Sequence, residues 1–310
     1  MFQILSLDGG GIRGIFSAAV LAAIESDTGE SVVDHFDLIA GTSTGGIIAL
    51  GLGLGLRPEE ILQFYLEEGP KIFANQLGVR SLLRLTGSKF SERPLTDALQ
   101  RVFRGKRFGD STKRLIIPSY NIGEDDVYNF RTAHHQRLRR DYKVPAWQVA
   151  RSTSAAPTYF PASHAVDHVR LVDGGLWANN PTMVAYIEAV GTLGVPSNEI
   201  RILNLGTCDD IKVRKRSLDQ GGMLQWARSG IEVLMRAQSL AAVNHVRFLV
   251  GKDNLLRIDS PVPAGFLKLD GHKRAADLVG KAAHISRIQM PEIVSKFLEH
   301  TAPKFTPIYS

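Results

Sequence analysis

The sequence predicts an α/β fold, with a mainly parallel central sheet and helices on both faces. Three observations predict it. Short apolar runs with strand character alternate along the chain with segments of helical spacing, and parallel strands need such crossovers. Two strand-to-helix junctions are glycine-rich turns, Asp8-Gly9-Gly10-Gly11-Ile12-Arg13-Gly14 and Gly41-Thr42-Ser43-Thr44-Gly45. The 310 residues are 44% hydrophobic and 22% charged, which suits a soluble globular domain with a sizeable core.

The elements follow in order. A strand over 2–7 leads into the first glycine turn and an amphipathic segment over 15–24. A second strand, 36–40, feeds the turn at 41–45, and an apolar helix begins after it at 47–50. Gly51, Gly53 and Gly55 end that helix in a loop. Pro58, followed by Glu59 and Glu60, opens a helix over 58–67. Further helices are expected over 94–102, 145–152 and 181–189. Strands are expected over 113–120, 127–130, 169–172 and 200–205.

The last third holds a long helical pattern over 223–249. Met223, Trp226, Ile231, Leu234 and Met235 dominate its first part, and core packing is the expected role of that stripe. A final helix is expected over 291–300. There is no internal repeat and no low-complexity segment. The chain reads as a single domain over 1–310, with 208–310 a helical elaboration of it that carries no motif.

The turn at 41–45 is a Gly-x-Ser-x-Gly pentapeptide between a strand and a helix. A strand feeding a helix through so sharp a bend lifts Ser43 out of the sheet, and its glycines avoid a Cβ clash. A serine held there is exposed, strained and at a helix N-terminus, as a nucleophile needs. The first glycine turn also opens a helix. Its backbone N–H groups and the positive helix end form an anion site. Acyl transfer needs such a site for its tetrahedral oxyanion. A third piece, Asp173-Gly174-Gly175, closes the strand at 169–172; taken alone it reads as an ordinary Asp-Gly turn.

Two rival readings compete. Gly9-x-Gly11-x-x-Gly14 matches a dinucleotide-binding fingerprint. That fingerprint expects an acidic residue at the end of the next strand, whereas Asp34 and Asp37 lie at its beginning. The other rival is a Ser-His-Asp triad on an α/β-hydrolase fold. There the elbow comes after several strands and the order is serine, acid, histidine. Here the elbow follows about the second strand. His164 and His168 precede Asp173, and His245 and His272 lie in settings unlike a catalytic one.

The three pieces together resemble the patatin-like phospholipase family. Its pattern is a loop Asp-Gly-Gly-Gly-x-Arg-Gly, a Gly-x-Ser-x-Gly elbow and an Asp-Gly-Gly, in that order. A fourth block matches as well, Ala150-Arg151-Ser152-Thr153-Ser154-Ala155-Ala156-Pro157-Thr158-Tyr159-Phe160. The resemblance covers about residues 2–207 and implies a three-layer fold. It makes Ser43 the nucleophile, Asp173 its general base, and the N–H groups of Gly9, Gly10, Gly11, Ile12 and Arg13 the oxyanion hole. It implies a dyad without histidine, no cofactor, no metal and membrane phospholipid as substrate. An aspartate of ordinary pKa, about 3.9, is a weak base, so burial must raise it.

The layout, with the motif starting at residue 8, also resembles the cyclic-dinucleotide-activated phospholipases of bacterial anti-phage signalling. That narrower resemblance implies a cyclic dinucleotide activator, bound in a basic groove of a homodimer. A constitutive lipid acyl hydrolase and a lipid-binding module without catalysis stand beside it.

Charge and cysteine usage set the surroundings. The formal net charge is +6, with basic runs at 101–107, 137–140 and 212–216. An anionic membrane attracts such runs by about 1 kcal/mol per basic residue near the surface. No nucleic-acid reader motif accompanies them, so no nucleic-acid polymer is expected as partner. The single cysteine, Cys208, excludes an internal disulfide and suits a reducing compartment. The apolar stretch at 45–56 is short of the ~20 residues of a membrane span. An N-terminal signal would take the Asp8 loop with it when cleaved. The expected location is the cytoplasm, acting peripherally at the inner membrane face.

Overall fold

The first strand sets the layers of the molecule. In β1 (Phe2–Leu7), Leu5 and Leu7 join one apolar core and Ile4 joins another on the opposite face. The computed structural model describes residues 1–73, 87–208, 210–211, 218–263 and 274–309. After β1 come α1 (Gly14–Thr28), β2 (Leu38–Gly41), α2 (Thr44–Gly53) and α3 (Pro58–Ile72). The middle of the chain holds α4 (Arg93–Phe103), β3 (Arg114–Asn121), β4 (Asp126–Arg131) and α5 (Ala146–Thr153). Then follow β5 (Leu171–Asp173), α6 (Gly175–Ala178), α7 (Thr182–Ile187) and β6 (Ile200–Leu205). The last third contains β7 (Asp210–Ile211), α8 (Met223–Val250), β8 (Leu255–Ile258), β9 (Val262–Pro263) and α9 (Ala275–Ile293).

The main sheet runs β4-β3-β2-β1-β6-β8, and β5 joins it through β3. Its inner pairs are parallel: β2 with β3, β1 with β2, β1 with β6, and β6 with β8. Only β4 and β5 run antiparallel, both against β3. One face carries α1, α2, α3 and α9, which bury Ile15, Phe16, Ile48, Ile61, Leu278 and Ile293. The other face carries α7 and α8, whose Ala185, Val243 and Val246 cover Ile4, Leu38, Ile116 and Ile202. This is a mainly parallel, three-layer α/β sandwich, as the alternation of elements predicts.

Two elements differ from the sequence expectation. The last helix begins at Ala275 rather than 291 and runs through Pro291 into a wide turn at Val294–Leu298. Leu278, Ala282, Ser286 and Ile293 are buried along one side of it, against α1. Packing of that face outweighs the local proline signal. The C-terminal third is also not only helical, because β8 forms the edge of the main sheet beside β6. Four residues are too few to show a strand period in sequence.

The C-terminal segment is tied to the N-terminal ends of the strands. His300 Nε2 lies 2.8 Å from Asp37 Oδ2, which also accepts the Gln3 N–H at 2.8 Å. Asp37 is thus a structural carboxylate at the foot of β2.

Candidate active site

The turn between β2 and α2 closes on itself. A Cβ on Gly41 would stand 2.1 Å from the Gly45 carbonyl oxygen, and one on Gly45 would stand 2.2 Å from that of Leu7. Only glycine fits at either position. Ser43 between them has φ 56° and ψ −120°, a conformation that a side chain adopts only under constraint. The constraint comes from Thr153 on α5. Its hydroxyl accepts the Ser43 N–H at 3.0 Å and donates to the Pro118 carbonyl at 2.6 Å.

Ser43 Oγ donates to Asp173 Oδ2 at 2.6 Å. The sheet brings the two together. β2 pairs with β3 only as far as Ala40 opposite Ile116. Beyond that point β5 takes over pairing with β3, in the opposite direction, from Ser119 to Asn121. The two short strands therefore meet end to end, one presenting Ser43 and the other Asp173. The second carboxylate oxygen, Oδ1, accepts the Gly175 N–H at 2.7 Å.

Both side chains are shielded: Ser43 is 8% and Asp173 5% exposed. Burial pushes the Asp173 carboxyl up to about 6, while the bonds from Ser43 and Gly175 draw it partly back. That makes it a far better base at neutral pH than a solvated aspartate. Among the described residues, the hydrogen-bond partners of Ser43 and Asp173 include no histidine. His164, His168 and His245 are exposed, and His272 lies outside the described residues.

The glycine loop after β1 faces the elbow. A Cβ on Gly9 would stand 3.3 Å from Ser43 Cβ. Within the loop, the Gly9 N–H donates to the Asn179 carbonyl at 2.8 Å and the Arg13 N–H to the Gly10 carbonyl at 3.2 Å. Two of the five expected donors are therefore engaged in holding the loop. The N–H groups of Gly10, Gly11 and Ile12 remain as candidates for an oxyanion, with Gly11 at φ 59° turning the chain.

Helix α8 stands beside the site. Met235 Cε lies 3.2 Å from the point where a Cβ on Gly175 would be, and Asn179 Nδ2 donates to Ser239 Oγ at 3.3 Å. The apolar stripe expected to be core is divided. Met235 turns toward α6, but Met223, Trp226 and Leu234 are exposed, at 87%, 43% and 62%. The side chain of Ile231 lies outside the described residues. A helix of ~42 Å outruns a six-residue strand of ~20 Å, so its first turns extend past the sheet.

The basic runs are partly engaged within the chain. Arg101 pairs with Glu68 at 2.7 Å, and Arg140 pairs with Asp141 at 2.6 Å while stacking on Tyr128. The run at 212–216 lies outside the described residues. Among the described residues, no group of three or more His, Cys, Asp or Glu is placed to hold a metal ion. Among them also, no helix is long and apolar enough to cross a membrane.

A serine on a strained strand-to-helix elbow, a buried carboxylate on its hydroxyl and a glycine loop facing it fit an acyl hydrolase class of site. The chain belongs to the patatin-like phospholipase family, whose profile matches residues 5–186. Over 83% of its length it is 34% identical to a cGAMP-activated phospholipase of Pseudomonas aeruginosa, covering 78% of that protein. Over 89% it is 31% identical to a cGAMP-activated phospholipase of Vibrio cholerae, covering 84% of it. Over 91% it is 34% identical to Patatin-like protein 1 of Arabidopsis thaliana, covering 78% of it. The protein is an ester hydrolase of acyl lipids.

Proposed function

We propose that the protein cleaves fatty-acyl esters of membrane phospholipids through Ser43 and Asp173, and that a cyclic dinucleotide switches it on in anti-phage defence. The observation that carries the chemistry is the 2.6 Å bond from Ser43 Oγ to a buried Asp173. Ser43 Oγ attacks the acyl carbonyl carbon as its proton passes to Asp173. The charge that develops on the carbonyl oxygen meets the N–H groups of Gly10, Gly11 and Ile12. Asp173 then protonates the glycerol oxygen as the ester bond breaks, leaving an acyl-serine. A water molecule, deprotonated by the same carboxylate, releases the fatty acid and restores Ser43.

Two observations support gating. The relatives named cGAMP-activated match this chain over most of their length. Ser43 is also buried and α8 packs beside Gly175, so an activator that shifts α8 would change access to the serine. The same reading places the enzyme peripherally on the inner membrane face, takes 1–310 as one functional unit and takes a homodimer as the activated form. Fatty-acid release from mixed phospholipid vesicles, by wild type and Ser43→Ala with and without cGAMP, tests it. Release by wild type only with the nucleotide is expected. Release without nucleotide removes the gating, and release by Ser43→Ala removes the dyad.

A further inference from the structure

The glycine loop is clamped by the C-terminal third of the chain. Each residue of the 206–208 turn after β6 touches it or the helix it opens. The Gly206 carbonyl accepts from Ser17 Oγ at 2.8 Å, Thr207 Oγ1 donates to the Gly9 carbonyl at 3.1 Å, and the Cys208 carbonyl accepts from Arg13 Nη1 at 3.3 Å. Asp259, just after β8, braces this turn from behind. Its Oδ1 accepts the Cys208 N–H at 3.0 Å.

Arg257 on β8 joins that brace to the loop itself. Its Nη2 donates to Asp259 Oδ2 at 2.8 Å and its Nη1 to Asp8 Oδ2 at 2.7 Å. Nη1 also contacts Asn204 Oδ1, and Asn204 Nδ2 donates to Asp8 Oδ1 at 2.8 Å. Asp8 is the first residue of the glycine loop and is 3% exposed. A guanidinium can grip two carboxylates at once because its donors form a rigid fork. The result is a continuous chain from Asp259 through Arg257 to Asp8, the residue from which the glycine loop starts. None of these contacts reaches Ser43 or Asp173.

We propose that Arg257 is a positioning residue for the oxyanion site: by bridging Asp8 and Asp259 it fixes the glycine loop where the carbonyl oxygen of the tetrahedral intermediate arrives. The inference rests on the Ser43–Asp173 reading and adds to it. Burial pushes the Asp8 carboxyl up to about 6, and Arg257 is foremost among the groups that hold it down, so loss of the arginine leaves Asp8 without its main partner. An oxyanion donor is worth most when it is already in place before the charge forms. Loosening the loop therefore penalises the transition state and leaves substrate binding largely alone.

The test uses the full chain on a soluble monomeric ester, with cGAMP present wherever wild type needs it. Arg257→Met, Arg257→Lys and Asp259→Asn are compared with Ile200→Val, a buried position in the other core at the start of β6, after Tm has been measured for each. Arg257→Met is expected to lower kcat by about 10–100-fold with KM within about twofold, somewhat below the full effect of removing an oxyanion donor. Arg257→Lys keeps the charge but cannot grip both carboxylates, so it recovers part of that loss. Asp259→Asn lowers kcat several-fold and carries the test if Arg257→Met does not fold. Ile200→Val loses stability and keeps kcat. Values of kcat for Arg257→Met and Asp259→Asn that match Ile200→Val, or a loss confined to KM, overturn the proposal. Ser43→Ala, run alongside, separates the two readings: turnover surviving in it overturns the dyad and this inference with it.

Discussion

Ser119 and Asp173 are direct partners in the antiparallel β3–β5 ladder, and that pairing delivers the carboxylate to Ser43. Ser119 is fully buried, and its hydroxyl donates to the Val172 carbonyl at 2.7 Å. Its carbonyl accepts the Trp177 indole N–H at 2.8 Å, which anchors α6 immediately after Asp173. Asp173, the proposed base, is thus held from both sides by one residue of β3. The serine is held from the other end of the same edge by Thr153 and the elbow glycines. A rigid frame of this kind keeps the two groups of the proposed dyad within hydrogen-bond reach before substrate binds.

Ser43→Ala removes the group expected to carry the acyl chain. It should lower kcat by at least about 10⁴-fold, since removal of a serine nucleophile has effects of that order or larger. Thermal melting of the variant should stay within a few degrees of wild type, because among the described residues Ser43 Oγ makes one hydrogen bond, to Asp173.

The pH dependence of kcat/KM follows from the raised Asp173 carboxyl. The carboxylate is the active form of the base, so activity should fall as pH drops through about 6. A profile on a soluble ester between pH 4 and 8 checks this. A flat profile through pH 6 contradicts the assignment.

Asp173→Asn should abolish turnover and stabilise the fold at alkaline pH. A carboxyl raised by burial from its ordinary 3.8 to about 6 favours its protonated form in the folded chain. Its contribution to stability is present below about 4 and is lost as pH rises through about 6. An amide removes that loss and can still accept from Gly175 and donate to Ser43. The gain at pH 8 should be about 1–3 kcal/mol, read as a rise of about 2–6 °C in Tm, and it should vanish near pH 4. Lower stability of the variant at pH 8 would contradict the burial argument.

Thr153→Val keeps the shape of the side chain and removes the hydroxyl that restrains the elbow. The buried Ser43 N–H and Pro118 carbonyl then lack their partner, at a cost of about 1–3 kcal/mol. A parallel loss in kcat, with KM little changed, is expected from a serine freed from its strained conformation. Denaturant melts and steady-state kinetics on the same preparation check both.

Much of the site was legible in sequence because its geometry is local. The strand, the glycines and the helix that shape the elbow all lie within about a dozen residues of Ser43. The same holds for the loop from Asp8 to Gly14. Asp173 was legible as a strand-ending aspartate, but its proximity to Ser43 depends on β5 filling the edge of β3 that β2 leaves open. Strand registers of that kind have no sequence signal within either strand. Thr153 lay in a block that was recognised without a role. Arg257 and Asp259 carried no signal, because a four-residue edge strand lacks a period and their partners are some 50 to 250 residues away. The outward turn of Met223, Trp226 and Leu234 was missed for another reason. Spacing places residues on a helix face but does not say which face is covered.

The most direct test of the central claim is covalent trapping of the full chain by an alkyl fluorophosphonate, with and without cGAMP, followed by peptide mass spectrometry. The phosphonate must be attacked by an activated serine, which displaces fluoride and leaves a tetrahedral phosphonate ester whose phosphoryl oxygen takes the place of the oxyanion. The account predicts a single adduct on the peptide containing Ser43, none in Ser43→Ala, and labelling at least about 10²-fold slower in Asp173→Asn, in line with the weight of a general base. An adduct on another residue, or equal rates for wild type and Asp173→Asn, would contradict it.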